Sequence, residues 1–138
     1  MTFSWFFEGF GDLEWVAVLV GTAATMVLGY LWYGPFFGKA WSSKAGVKMQ
    51  SGEPGKMVMT AVYFLVFNIG LQYLGLVTNG FEFEHAVVAG IVLGVLAIAP
   101  ALYSAVVWAK KHTTVFLIDA TFWIAATAVA IMVQSLVV

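Results

Sequence analysis

Asp119 is the one acid inside the long apolar runs of this 138-residue chain. It falls about five residues into the last run, so ~8 Å below that end by helical rise. A carboxylate at such depth costs about 2.5–3.5 kcal/mol unless it is paired or wetted, which makes it a functional candidate by default. The same depth, counted along the other runs, selects hydroxyl groups: Tyr30 on the first, Thr60 and Tyr63 on the second, Tyr103 and Ser104 on the third. Lys39 is placed to snorkel back toward that layer from the interface. Carboxyl and hydroxyls together could handle a proton or cation, or hold a polar headgroup. The plainer reading is a structural knot, in which Asp119 accepts hydrogen bonds from tyrosines and locks helix packing.

The remaining polar residues carry weaker signals. Asn68 and Gln72 lie one turn apart on the second run and suit helix packing or the lining of a pathway. Gln134 sits near the end of the last run, where solvent contact would account for it. His85 and His112 fall at opposite ends of the third run, so they cannot ligate one haem within a monomer. Glu82, Glu84 and His85 could hold a cation weakly, but a solvated acidic loop accounts for them. No cluster has zinc spacing, and no nucleotide fingerprint or catalytic triad can be assembled. No metal, no cofactor and no enzymatic activity are expected.

Composition decides what surrounds these residues. Hydrophobic residues make up 62% of the chain and charged ones 9%. A water-soluble domain carries about 25% charged residues, so this chain is read as a membrane protein. Its net charge of −1 gives no reason to expect a nucleic-acid partner. With no cysteine there is no disulfide framework. The expected fold is all-α, a single four-transmembrane-helix bundle with spans at about 15–34, 57–78, 85–108 and 114–138. A Gly34-Pro35 break is expected to end the first span, because proline supplies no amide hydrogen and restricts the residue before it. Pro100 is expected to kink the third. Residues 35–56 read as a polar loop, with Gly46, Ser51, Gly52, Pro54 and Gly55 as loop signals and Asn79-Gly80 as a turn signal further on. The acidic, aromatic stretch 1–14, with Phe3, Trp5, Phe6, Phe7 and Phe10, reads as an interfacial segment.

Small residues recur at helical spacing, which lets helices approach closely. Gly21, Thr25 and Gly29 form one such stripe, Ala86, Gly90 and Gly94 another, and Ala97, Ala101 and Ala105 a third.

Charge is segregated along the chain. All six lysines fall in two connections: Lys39, Lys44, Lys48 and Lys56 in the first, Lys110 and Lys111 in the third. The N-terminal segment and the second connection hold five acids and no lysine. Lysine-rich short loops mark the cytoplasmic side, so both termini are expected outside, and the loop 35–56 inside. The first apolar run follows Glu8, Asp12 and Glu14 with no basic n-region, so it reads as a retained span and not a cleaved signal peptide.

The stretch at the first cytoplasmic boundary carries a motif: Trp32-Tyr33-Gly34-Pro35-Phe36-Phe37-Gly38-Lys39-Ala40-Trp41. It resembles the signature of a family of small prokaryotic four-helix membrane proteins known only as a domain of unknown function. An acid early in the last helix, here in Leu117-Ile118-Asp119-Ala120, is typical of that family. This chain departs from the family in having no arginine. The resemblance implies the four-helix fold and suggests that the motif and Asp119 belong together. It implies no activity. The resulting expectation is a multi-pass inner-membrane protein, homo-oligomeric and transporter- or channel-like, with a polar site for a small ligand or ion in the cytoplasmic third. The alternative is a non-catalytic accessory subunit packed against a larger membrane complex.

Overall fold

The computed structural model describes residues 4–47, 53–78 and 80–137. Phe3, Lys48, Ser51, Gly52 and Asn79, and the side chains of Trp5 and Phe6, lie outside that description. The described residues form helices and no strands. In chain order they are α1 (Ser4–Gly11), α2 (Trp15–Leu31), α3 (Gly38–Ala45), α4 (Pro54–Val77), α5 (Ala86–Leu93), α6 (Ala99–Trp108) and α7 (Thr113–Val137). Wide π turns extend α2 over Trp32–Phe36 and join α5 to α6 over Gly94–Ile98. Four helical stretches are long and apolar enough to cross a membrane: Trp15–Phe36, Pro54–Val77, Phe83–Trp108 and Thr113–Val137.

α7 is the axis of the bundle. Its apolar window is 44% buried, against 17–28% for the other three spans. A helix that is apolar all round can be enclosed on several faces. α7 is packed by α2, α4, α5 and α6, and also by α3. Near its N-terminal end Phe122 and Ala126 meet Phe64 of α4; near its other end Ala130 and Ile131 meet Leu71 and Ala86. The outward faces stay apolar and open, with Val88 63% and Leu96 73% exposed, which suits contact with lipid tails.

Glycines set the closest approaches. A methyl group built on Gly90 would meet the Ile124 carbonyl oxygen at 2.7 Å and Ala128 Cβ at 3.3 Å. One on Gly94 would collide with the Ile124 side chain. The third span therefore lies against the α7 backbone. Gly21 clears space for a buried polar knot. Asn68 on α4 is fully buried and donates from Nδ2 to Thr25 Oγ1 on α2 at 3.2 Å and to the Phe64 carbonyl at 2.8 Å. Gln134 Nε2 donates to Asn68 Oδ1 at 2.9 Å. Gln134 is thus not held by solvent, as its place in the sequence suggested. It is 6% exposed because α4 brings an amide opposite it. Gln72 serves the chain's entry into α2, accepting from the Glu14 amide at 2.8 Å.

The expectation for Pro35 is modified. Pro35 does not end the helix at Gly34. The turn widens, so that the Phe37 amide bonds the Trp32 carbonyl at 2.8 Å, five residues back, and helical winding passes the residue that has no N–H. The break comes at Phe37. Next, α3 folds against the end of this span, where polar loop was expected. At the corner a Cβ on Gly38 would stand 2.5 Å from the Tyr33 carbonyl oxygen, so only glycine fits. Gly46, at φ 70°, closes α3 in the left-handed conformation, with the Val47 amide bonding the Ser42 carbonyl at 3.2 Å. In the third span the α ladder opens into the π turn Gly94–Ile98, and winding continues into α6, whose second residue is Pro100. At the N-terminus α1 leans on α4, with Phe10 stacked on Tyr73 at 5.0 Å between centroids.

These contacts separate the glycines by substitution. Gly90→Ala should lower stability by about 1–3 kcal/mol through overpacking. Gly29→Ala, where a methyl group would find Phe64 at an ordinary 3.5 Å, should be neutral or gain up to ~1 kcal/mol of helix propensity. Unfolding midpoints of the two variants in mild detergent would show the contrast; equal shifts would contradict the packing described.

Candidate functional site

The π turn and α3 aim three hydrogen-bond donors at one turn of α7. Trp32 Nε1 donates to the Ile118 carbonyl at 3.1 Å. Tyr33 Oη donates to Asp119 Oδ1 at 2.6 Å, and Trp41 Nε1 to the same oxygen at 3.0 Å. Tyrosine and tryptophan suit this place because each combines an apolar ring with one polar atom that needs a partner when buried. The 2.6 Å bond has the length of an O–H···O⁻ contact. Without the turn at Phe37 and Gly38, Trp41 would continue along the axis of α2, away from α7. The corner brings it back, edge-on to Tyr33 at 5.8 Å between centroids.

Among the described residues both donors meet Oδ1 of Asp119, and none meets Oδ2. Asp119 is part-buried and lines a cavity of about 560 Å³. Tyr30, Tyr33 and Trp41 form one wall, Met57, Thr60 and Tyr63 of α4 another. Phe122 and Trp123 of α7 line it beside Asp119, and Leu102 alone reaches it from α6. The rings form a continuous network: Tyr33 meets Phe122 at 5.3 Å, Phe122 meets Phe64 at 5.8 Å, and Tyr63 meets Trp123 at 6.3 Å between centroids.

The sequence-derived layer is only partly assembled. Tyr30, Thr60 and Tyr63 line the same cavity as Asp119, although Tyr30 is 75% exposed and does not bond to it. Tyr103 and Ser104 stand elsewhere. Tyr103 packs on Phe116 at 5.1 Å, and the exposed Ser104 donates to the Ala101 carbonyl at 2.6 Å. Counting residues gives depth along a helix but not direction around it. Each residue turns the helix by 100°, and Leu102 is the one that faces inward. Lys39 is exposed and makes no ion pair among the described residues; Gly34 and Pro35 are exposed as well. The residues missed as ligands of the acid were Tyr33 and Trp41. Their polar atoms at an apolar boundary were the available signal.

The Glu82, Glu84 and His85 ligand atoms lie within 4.8 Å of one another, but all three residues are exposed at the start of the third span. His112 takes a structural part: its Nδ1 accepts the Thr114 amide at 3.0 Å and caps the start of α7.

The family described as "Protein of unknown function (DUF1761)" matches residues 16–135. The chain belongs to this family. The match takes in all of α3–α6 and nearly all of α2 and α7, and with them the aromatic clamp and Asp119. Searches of curated proteins and of solved structures found no match.

The clamp itself can be measured. Bonds between membrane helices are worth about 0.6 kcal/mol on average and up to ~1.7. Tyr33→Phe and Trp41→Phe should each lower stability within that range. Asp119→Ala should cost more than either, because it orphans two donors at once. A double-mutant cycle between Tyr33→Phe and Asp119→Ala should show coupling; additive effects would contradict the bond.

Proposed function

We propose that this protein is a small, homo-oligomeric, transporter- or channel-like protein of the inner membrane, whose cavity at Asp119 holds a small polar ligand or ion. One observation carries the reading. Asp119 lines a cavity of about 560 Å³ with one oxygen clamped by Tyr33 and Trp41 and the other, Oδ2, bonded to no group among the described residues. A purely structural acid would be expected to have both oxygens occupied, as Asn68 has both ends of its amide bonded. The cavity size lies in the ordinary range for small-molecule sites. The lysine pattern supports a cytoplasmic position for this end of the bundle, and both termini on the outer side.

The second reading, an accessory subunit of a larger complex, is favoured by the third span. Ala97, Ala101 and Ser104 form an exposed small-residue face that leaves room for another helix. A homo-oligomer would use the same face, so native mass spectrometry from mild detergent separates the two. A homo-oligomer with no foreign subunit supports the first reading.

The chain has no cysteine, so single-cysteine variants report access directly. Thr60→Cys, in the cavity wall, should react with a small charged methanethiosulfonate reagent from the cytoplasmic side, as should Lys44→Cys. An inert Thr60→Cys beside a reactive Lys44→Cys would end the ligand-site reading. Reaction of Lys44→Cys from the outer side alone would reverse the topology.

A further inference from the structure

We infer that the ligand of the Asp119 cavity is an organic cation, a bulky alkyl- or aryl-substituted onium ion and not a metal ion, an anion or a neutral apolar molecule. The inference rests on the reading of the cavity as a ligand site and adds the chemical class. Three features of the wall carry it.

The first is charge. Among the described residues Asp119 is the single carboxylic acid on the wall, and no lysine, arginine or histidine lines it. The nearest basic residue along α4, Lys56, is paired with Glu53 at 2.9 Å outside the cavity. An anion would meet an unopposed carboxylate. The second is ligand count. A hard cation such as Ca²⁺ needs 6–8 oxygen ligands, and Mg²⁺ keeps a near-octahedral shell. Among the described residues this wall offers one unbonded carboxylate oxygen and the hydroxyls of Tyr30, Tyr33, Thr60 and Tyr63, too few for such a shell. The third is the rest of the surface. Tyr30, Tyr63, Phe122 and Trp123 present π systems, whose negative faces attract a cation within about 6 Å of the ring centroid, most strongly where it is stripped of water. An onium ion gives up its weak hydration easily and can place its charge near Oδ2 with its substituents on the rings. A neutral apolar molecule would fill the cavity but leave Oδ2 desolvated and unpartnered.

The test uses the full-length protein in mild detergent and calorimetric titration with two isosteric probes, tetraphenylphosphonium and tetraphenylborate, corrected for partition into empty micelles. Tetraphenylphosphonium should bind saturably and at least ~10-fold more tightly than tetraphenylborate. Asp119→Asn keeps an oxygen for Tyr33 and Trp41 while removing the charge, and should weaken phosphonium binding at least ~10-fold. Equal affinity for both probes, or phosphonium binding unchanged in Asp119→Asn, overturns the cation inference and leaves the ligand-site reading standing. Failure of both probes to bind overturns the inference; with an inert Thr60→Cys it overturns the ligand-site reading too. The comparison of probes is made on the wild-type chain, so it holds even if the variant does not fold.

Discussion

The structure depends most on the three-donor clamp by which one helix end grips another. Two indoles and a phenol, all within ten residues of chain, reach the Ile118 carbonyl and the Asp119 carboxylate. In hydrocarbon an unpartnered donor or acceptor has no water to fall back on, so such groups must find one another inside the protein. The clamp meets that requirement for both partners together. It also explains why the first span does not simply stop at its proline. The wide turn at Trp32–Phe36 and the sharp corner at Gly38 carry Trp41 back toward α7.

The rest of the bundle follows the same logic with different chemistry. Deeper along α7 the amide knot of Asn68, Gln134 and Thr25 joins three helices with every buried polar side-chain atom partnered among the described residues. Among the described residues the third span makes no such polar bond to α7 and is held by backbone proximity at Gly90 and Gly94. Polar links therefore fix α2 and α4 to the central helix, while close packing fixes α5 and α6. The cavity is lined from the first span, α3, α4 and α7, with Leu102 reaching it from α6. Its aromatic wall is partly the same set of rings that delivers the clamp, so the site and the structural joint are continuous.

Much of this was legible from residues alone. Four apolar runs of spanning length, one of them holding Asp119, marked the helices, because length and apolarity are local properties. Asp119 stood out because an acid in an apolar run is rare and expensive. The motif Trp32–Trp41 was visible as a unit. Its membership in a family whose model spans residues 16–135 accords with the resemblance the motif carries. What misled was treating depth as if it were proximity. Tyr103 and Ser104 share the level of Asp119 but point elsewhere, and Gln134 is buried despite its place near the chain's end.

The sequence by itself determined the class of the protein, its four spans, the asymmetry of its lysines and the presence of one carboxylate among hydroxyls and rings. Each of these follows from composition and one-dimensional spacing. Only the tertiary structure decided which donors hold Asp119, that both converge on one oxygen, and that a helix folds back where a loop was expected. Those outcomes depend on rotation about helix axes and on the path of a single corner. A π turn past Pro35 and a glycine at position 38 rotate and redirect everything after them, and no count of residues along the chain carries that angle.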